Sequence, residues 1–107
     1  MEQKTKSTAN KTRAYRWCYT INNPTSEPIL EDVRYHIYGR EVGEKEGTKH
    51  LQGFVIFYKQ LYFSKVKTLL PGAHLEVAKG TNQQAADYCK KDGDFVETGE
   101  LPLEKVS

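Results

Sequence analysis

Between residues 13 and 21, RAYRWCYTI sets Tyr15, Trp17, Tyr19 and Ile21 against Arg16, Cys18 and Thr20. That period of two predicts a strand. NNPTSEP follows as a turn, and Ser26 as N-cap with Pro28 in the first turn predicts a short helix reaching about Arg34. YHIYGREV (35–42) is a second strand, and GEKEGTK is a Gly-bracketed hairpin loop into the third, HLQGFVIFYK (50–59). Further along that third strand both faces turn apolar, with Leu51, Val55 and Phe57 opposite Phe54, Ile56 and Tyr58. A strand apolar on two faces belongs in the middle of a covered sheet.

The spacing then changes. Phe63, Val66, Leu69 and Leu70 fall at helical intervals, and Pro71-Gly72 stops that helix. AHLEVAKG is a fourth strand. Thr81 and Gln84 form the S/T-x-x-E/Q capping box of a helix over about 82–91 that ends before Gly93. DFVETG is a short last strand. The order β-α-β-β-α-β-α-β predicts an α+β fold, a central antiparallel sheet of about five strands flanked by helices, related to the split β-α-β arrangement.

The length of 107 residues fits one domain with one modest core. We expect a basic arm at 1–12, flexible for want of apolar periodicity, a folded domain at 13–100 and a tail at 101–107. Two cysteines, Cys18 and Cys89, are too few for a disulfide framework, so reduced thiols inside a cell are expected. No apolar run approaches the roughly 20 residues that span a bilayer, and the polar N-terminus lacks the apolar core of a secretory signal. The net charge of +2 says little, but its distribution says more. Lys4, Lys6, Lys11, Arg13 and Arg16 crowd the first strand and its arm, and Lys59, Lys65, Lys67 and Lys79 form a second basic group. Acidic residues gather in 27–46 and after 91. One basic side and one acidic side suit a protein that holds a polyanion.

His50 and Gln52 stand two apart in the third strand and therefore project from the same face. Glu41, near the end of the second strand, becomes their cross-strand neighbour once the hairpin closes. A carboxylate, an imidazole and an amide carbonyl together suit Mg²⁺ or Mn²⁺, whereas structural zinc wants more Cys or His. Three protein ligands leave room for water or a phosphate oxygen. Gly53, next in sequence, would allow close backbone approach. The plainer alternative is that His50 and Gln52 only hydrogen-bond at the sheet rim.

In TNQQAADYCKKDG, Gln84, Tyr88 and Lys91 occupy one helical stripe. A tyrosine hydroxyl, with an ordinary pKa of about 10, is a poor nucleophile. A bound metal that polarises the phosphate, and an ammonium that steadies the charge developing on it, would make it competent. Tyr88 and Lys91 facing a metal site thus form a coherent phosphoryl-transfer set. The plainer alternatives are a half-buried Tyr88, a Lys91 paired with Asp87, a Gln84 that only completes the capping box, and a Cys89 that packs.

CYTINN (18–23), HLQGF (50–54) and YCKK (88–91) together resemble the three motifs of replication-initiator proteins of small circular single-stranded DNA viruses, circoviruses above all. The resemblance spans nearly the whole folded stretch. It implies the nicking domain of an HUH endonuclease, in which Tyr88 attacks the scissile phosphate of a single-stranded origin loop. The product is a 5′-phosphotyrosine and a free 3′-OH that primes rolling-circle replication, and the same site can rejoin ends. It assigns the metal to Glu41, His50 and Gln52, with Gln52 replacing the second His of the name-giving pattern, and gives Lys91 the task of orienting or stabilising the phosphate. Asn22 and Asn23 are placed near DNA, although they could simply shape the turn before Pro24. Lys65 and Lys67 are expected to contact phosphates. Trp17 could stack bases, with core packing the favoured use. The implied partner is the origin stem-loop in the host nucleus. A helicase domain is expected in the full-length protein, and no Gly-x4-Gly-Lys-Ser/Thr pattern occurs in this chain. The competing class is a non-catalytic single-strand nucleic-acid binding module, which binds salt-sensitively and leaves no covalent product.

Overall fold

The computed structural model describes residues 12–43 and 47–103. The expected arm, apart from Thr12, and the end of the tail lie outside the described residues. Five strands and two helices follow one another: β1 (Arg13–Asn22), β2 (Val33–Val42), β3 (Lys49–Tyr62), α1 (Phe63–Leu69), β4 (His74–Val77), α2 (Asn82–Cys89) and β5 (Phe95–Gly99). All pairings are antiparallel, in the order β4-β1-β3-β2-β5. The expected α+β architecture is therefore present, with the doubly apolar β3 at its centre. Among the described residues, no helix is long and apolar enough to cross a membrane.

One expected element is absent. The helix proposed for 26–34 does not form, and the chain runs irregularly until β2 begins at Val33. The segment offers no apolar stripe to bury: Ile29 is 86% exposed, and Asp32 takes a positive φ of 58°. A short helix gains its stability from a packed face rather than from its caps. Glu27 is held instead by β2, accepting from Tyr38 Oη at 2.7 Å and from Arg40 Nε at 2.6 Å. Arg40 foremost, then Tyr38, keeps the Glu27 carboxyl below its ordinary range.

Strand alternation divides the core into two layers. Trp17, Tyr19, Leu51, Val55 and Phe57 meet Val66 of α1 and Leu70 just past its end. On the other face Tyr35, Ile37, Phe54 and Ile56 meet Ala86 and Cys89 of α2. Trp17 is thus a core residue, its indole N–H donating to the Ala14 carbonyl at 3.0 Å. Gly53 has a use other than the expected backbone approach: a Cβ there would lie 2.0 Å from the Tyr19 ring, which crosses it on the α1 side.

Beneath that ring, Tyr19 Oη and His36 Nε2 lie 2.7 Å apart, both buried. Burial pushes the Tyr19 phenol up, so it stays protonated as it shares a hydrogen bond with a neutral His36. Burial likewise pushes His36 down to about 4. The unfolded chain, with His36 near its ordinary 6.5, binds the proton more readily. Stability is therefore full above about pH 6.5 and falls as the pH drops toward 4. We predict a loss of about 3 kcal/mol over that window, measured by urea denaturation at stepped pH. His36→Asn should flatten the slope between pH 6.5 and 5, and an unchanged slope would remove His36 as its source.

Candidate active site

The β2–β3 register sets Glu41 opposite His50 and Gly39 opposite Gln52. Glu41 is only 7% exposed, and both of its carboxylate oxygens are engaged. Oε1 lies 2.8 Å from His50 Nε2, and Oε2 accepts from the Lys91 ammonium. One carboxylate thus joins the central hairpin to the segment after α2. Gln52 lies on the same face, where its Oε1 accepts from Thr20 Oγ1 at 3.2 Å and its Nε2 reaches the Tyr19 carbonyl at 3.4 Å. Glu41 and His50 are in direct contact, while Gln52 sits one pleat nearer α2.

Helix α2 brings the tyrosine. Thr81 caps it through the full capping box: the hydroxyl accepts from Gln84 N at 3.0 Å, and Gln84 Oε1 accepts from Thr81 N at 2.9 Å. Gln84 therefore serves the cap and not the site. The helix ends at Cys89, shorter than expected, and Gly93 turns the chain with a positive φ of 83°. Lys91 accordingly lies beyond the helix and folds back, its Nζ 3.8 Å from the centroid of the Tyr88 ring. It pairs with Glu41 rather than with Asp87, which accepts from Gln83 at 2.8 Å. Tyr88 is 54% exposed.

Close approach of α2 requires a glycine beneath it. A Cβ on Gly39 would lie 2.0 Å from the Cys89 carbonyl oxygen. The gap left by the missing side chain seats the helix C-terminus, and with it Tyr88 and Lys91, beside Glu41.

Two depressions flank these groups. One, of about 300 Å³, is lined by Tyr88, Gln52, Thr20, Cys18, His74 and Glu76. The other, of about 420 Å³, opens on the far side of Glu41 and His50 and includes Ser26, Lys49 and Asp94. His74, Glu76 and Thr20 were missed in the sequence. HLEV shows their alternation, but only the pairing of β4 with β1 carries His74 and Glu76 to the tyrosine. Burial raises the pKa of Cys18 and pushes Cys89 up to about 12, so both thiols stay protonated and are poor nucleophiles beside Tyr88.

The remaining candidates separate. Asn22 pairs with His50 across β1–β3 and is exposed beside the site. Asn23 shapes the turn, with φ 52° and its N–H donating to the Lys49 carbonyl at 2.8 Å. Lys65 and Lys67 lie on α1, the layer across the sheet from Tyr88, and Lys67 Nζ donates to the Ala73 carbonyl at 2.5 Å. Among the described residues, no three His, Cys, Asp or Glu side chains cluster closely enough to hold a metal. An ion bound here would therefore need the Gln52 amide beside Glu41 and His50. Carboxylate, imidazole and amide oxygen form a donor set that suits Mn²⁺ or Mg²⁺, and two of the three are already in contact.

Residues 14–92 match the model of the viral replication protein family. The chain belongs to that family. Relatives include the replication-associated protein of beak and feather disease virus, 47% identical over 90 residues, covering 78% of this chain and 31% of that protein. The replication-associated protein of pigeon circovirus is 42% identical over 96 residues, 83% of this chain and 30% of its own length. The master replication protein of banana bunchy top virus is 40% identical over 82 residues, 76% and 28% of the two chains. The chain thus spans about a third of the length of these viral replication proteins. The family-matched stretch contains Glu41, His50, Gln52, Tyr88 and Lys91.

The Gly39 contact gives a test of how the site is seated. Gly39→Ala should cost about 1–3 kcal/mol by overpacking, read from chemical denaturation. Gly43→Ala, whose Cβ would meet Thr48 O at an ordinary 3.5 Å, should change stability by less than about 0.5 kcal/mol. Equal effects at the two positions would contradict the seating of α2 on Gly39.

Proposed function

We propose that this viral replication domain nicks and rejoins single-stranded DNA at a viral origin. The observation that supports it best is the exposed Tyr88 beside the linked Lys91–Glu41–His50 groups. In this reading Tyr88 Oη gives up its proton and attacks the scissile phosphorus, the new O–P bond replaces the P–O3′ bond, and the departing 3′ oxygen takes up a proton. The protein is left on the 5′ phosphate. The bond energy is retained in the tyrosyl ester, so attack by a 3′-OH reverses the step.

Glu41, His50 and Gln52 would hold Mn²⁺ or Mg²⁺, which supplies Lewis-acid polarisation of the phosphate. Lys91 positions the tyrosine ring and offers its ammonium to the developing charge. Glu41 orients the lysine and would offer its carboxylate to the ion. The natural partner would be an origin stem-loop presented in the host nucleus, with unwinding left to a helicase domain elsewhere in the longer protein.

The test uses an origin-loop oligonucleotide with a dye on its 3′ end. With Mn²⁺ the wild type should give a dye-bearing protein band on a denaturing gel, and EDTA or Tyr88→Phe should abolish it. Lys91→Ala should slow its formation about 100-fold. DNA binding without any adduct, across a set of circovirus-like loops, would favour the non-catalytic binding module. An adduct that survives Tyr88→Phe would mean another nucleophile.

A further inference from the structure

At the other end of α2 from Tyr88 lies a cleft of about 580 Å³ whose lining includes Arg13, Arg16, Arg34, Tyr15, Tyr58 and Gln60. No aspartate or glutamate lines it. Its floor includes Ile56, which shares a face of β3 with Gln52 and lies four residues further on, about 13 Å at 3.3 Å per residue. Asn82, the first residue of α2, closes one side. Active site and cleft thus sit at opposite ends of one eight-residue helix, about 12 Å long at 1.5 Å per residue.

Backbone irregularity shapes this cleft. The β1–β3 register breaks between Ala14 and Arg16, and the β2–β3 register breaks between Val33 and Tyr35. Both breaks fall beside Ile56, which pairs with Arg16 on one side and Tyr35 on the other. The residues at the two breaks, Tyr15 and Arg34, both line the cleft. At the β2–β3 break Arg34 is the extra residue, and at the β1–β3 break β3 carries residues 57–60 opposite Tyr15 alone. Bulges re-aim side chains, and here they bring Arg34 and Tyr58 to one cleft.

Tyr58 and Tyr15 are 65% and 50% exposed, unusual for aromatics on a sheet that buries Trp17, Tyr19 and Tyr35. Arg13 stacks on Tyr62, its guanidinium carbon 5.5 Å from the ring centroid. Arg16 is anchored, donating to Asn82 Oδ1 at 3.0 Å, and Asn82 in turn donates to the Pro102 carbonyl at 3.3 Å. The wall is therefore fixed, while Arg13, Arg34 and the two tyrosines face solvent.

We propose that this cleft is a second binding site for single-stranded nucleic acid, holding a segment that lies outside the phosphate presented to Tyr88. Guanidiniums in a cleft lined by no carboxylate fit phosphates, and exposed tyrosines fit unpaired bases. Stacking requires bases that are not already stacked in a duplex, which selects the single strand. The inference rests on the reading that the chain handles single-stranded nucleic acid, but not on nicking.

The test is fluorescence anisotropy with labelled oligo-dT, long enough to run the length of α2 and beyond, in EDTA and on a Tyr88→Phe background. Tyr58→Ala with Tyr15→Ala should weaken binding at least tenfold. Arg13→Ala with Arg34→Ala should lower the slope of log affinity against log salt by about 1.4, from two lost phosphate contacts on a single strand. Circular dichroism and thermal melting should match wild type, because the altered side chains are exposed. A misfolded pair would be replaced by Tyr58→Ser and Arg34→Gln, read in the same way. Unchanged affinity and slope would overturn the site and leave the cleft to the remainder of the longer chain or a protein partner. A duplex that competes as well as oligo-dT would overturn the single-strand assignment. Absence of the covalent product from the wild type with Mn²⁺, with these binding effects intact, would instead overturn the proposed function alone.

Discussion

The antiparallel register between β2 and β3 is the constraint on which the site depends. It sets a carboxylate opposite an imidazole at one pair of positions and a glycine opposite an amide at the next. A slip of one residue would send Glu41 to the α1 layer and put a side chain where the α2 terminus now rests. That register is held by apolar residues on both faces of β3, since Val55 and Phe57 have partners only on the α1 side, and Phe54 and Ile56 only on the α2 side. The core therefore aligns the polar residues at the open end of the hairpin.

Glu41 turns this alignment into chemistry. Its buried carboxylate would be costly alone, and it is satisfied by His50 from its own hairpin and by Lys91 from the far side of α2. The two halves of the site are thereby joined electrostatically as well as sterically. Gly39 makes that possible at the level of the backbone, because α2 could not otherwise end close enough to the sheet for Lys91 to reach.

The two faces of the sheet divide the work. The α1 side carries the large aromatics and the neutral Tyr19–His36 pair, closed to solvent and tuned for stability. The α2 side is covered by a shorter helix with small residues at its contacts, Ala86 and Cys89, and leaves sheet exposed at both ends. One end holds the tyrosine and the metal-capable groups, and the other holds the arginine-lined cleft.

Much of this was legible in the chain itself. Period-two alternation located the first strand, strand-type runs between turn residues located the others, the doubly apolar HLQGFVIFYK identified the central one, and Thr81 with Gln84 marked the start of α2. Local chemistry carries those signals: side-chain alternation and capping depend on residues a few positions apart. The three motifs likewise indicated the viral replication family and contain His50, Gln52, Tyr88 and Lys91, while the hairpin placed Glu41 opposite His50. The helix expected at 26–34 shows the limit, because its caps are local but the apolar face that would stabilise it is missing. Strand order, the partner of Lys91, the arrival of His74 and Glu76 beside Tyr88, and the placement of Lys65 and Lys67 on the opposite layer were decided only by the tertiary structure. Each joins residues tens of positions apart, and contacts at that separation are selected by the packing of the whole sheet and its two helices rather than by any neighbouring sequence.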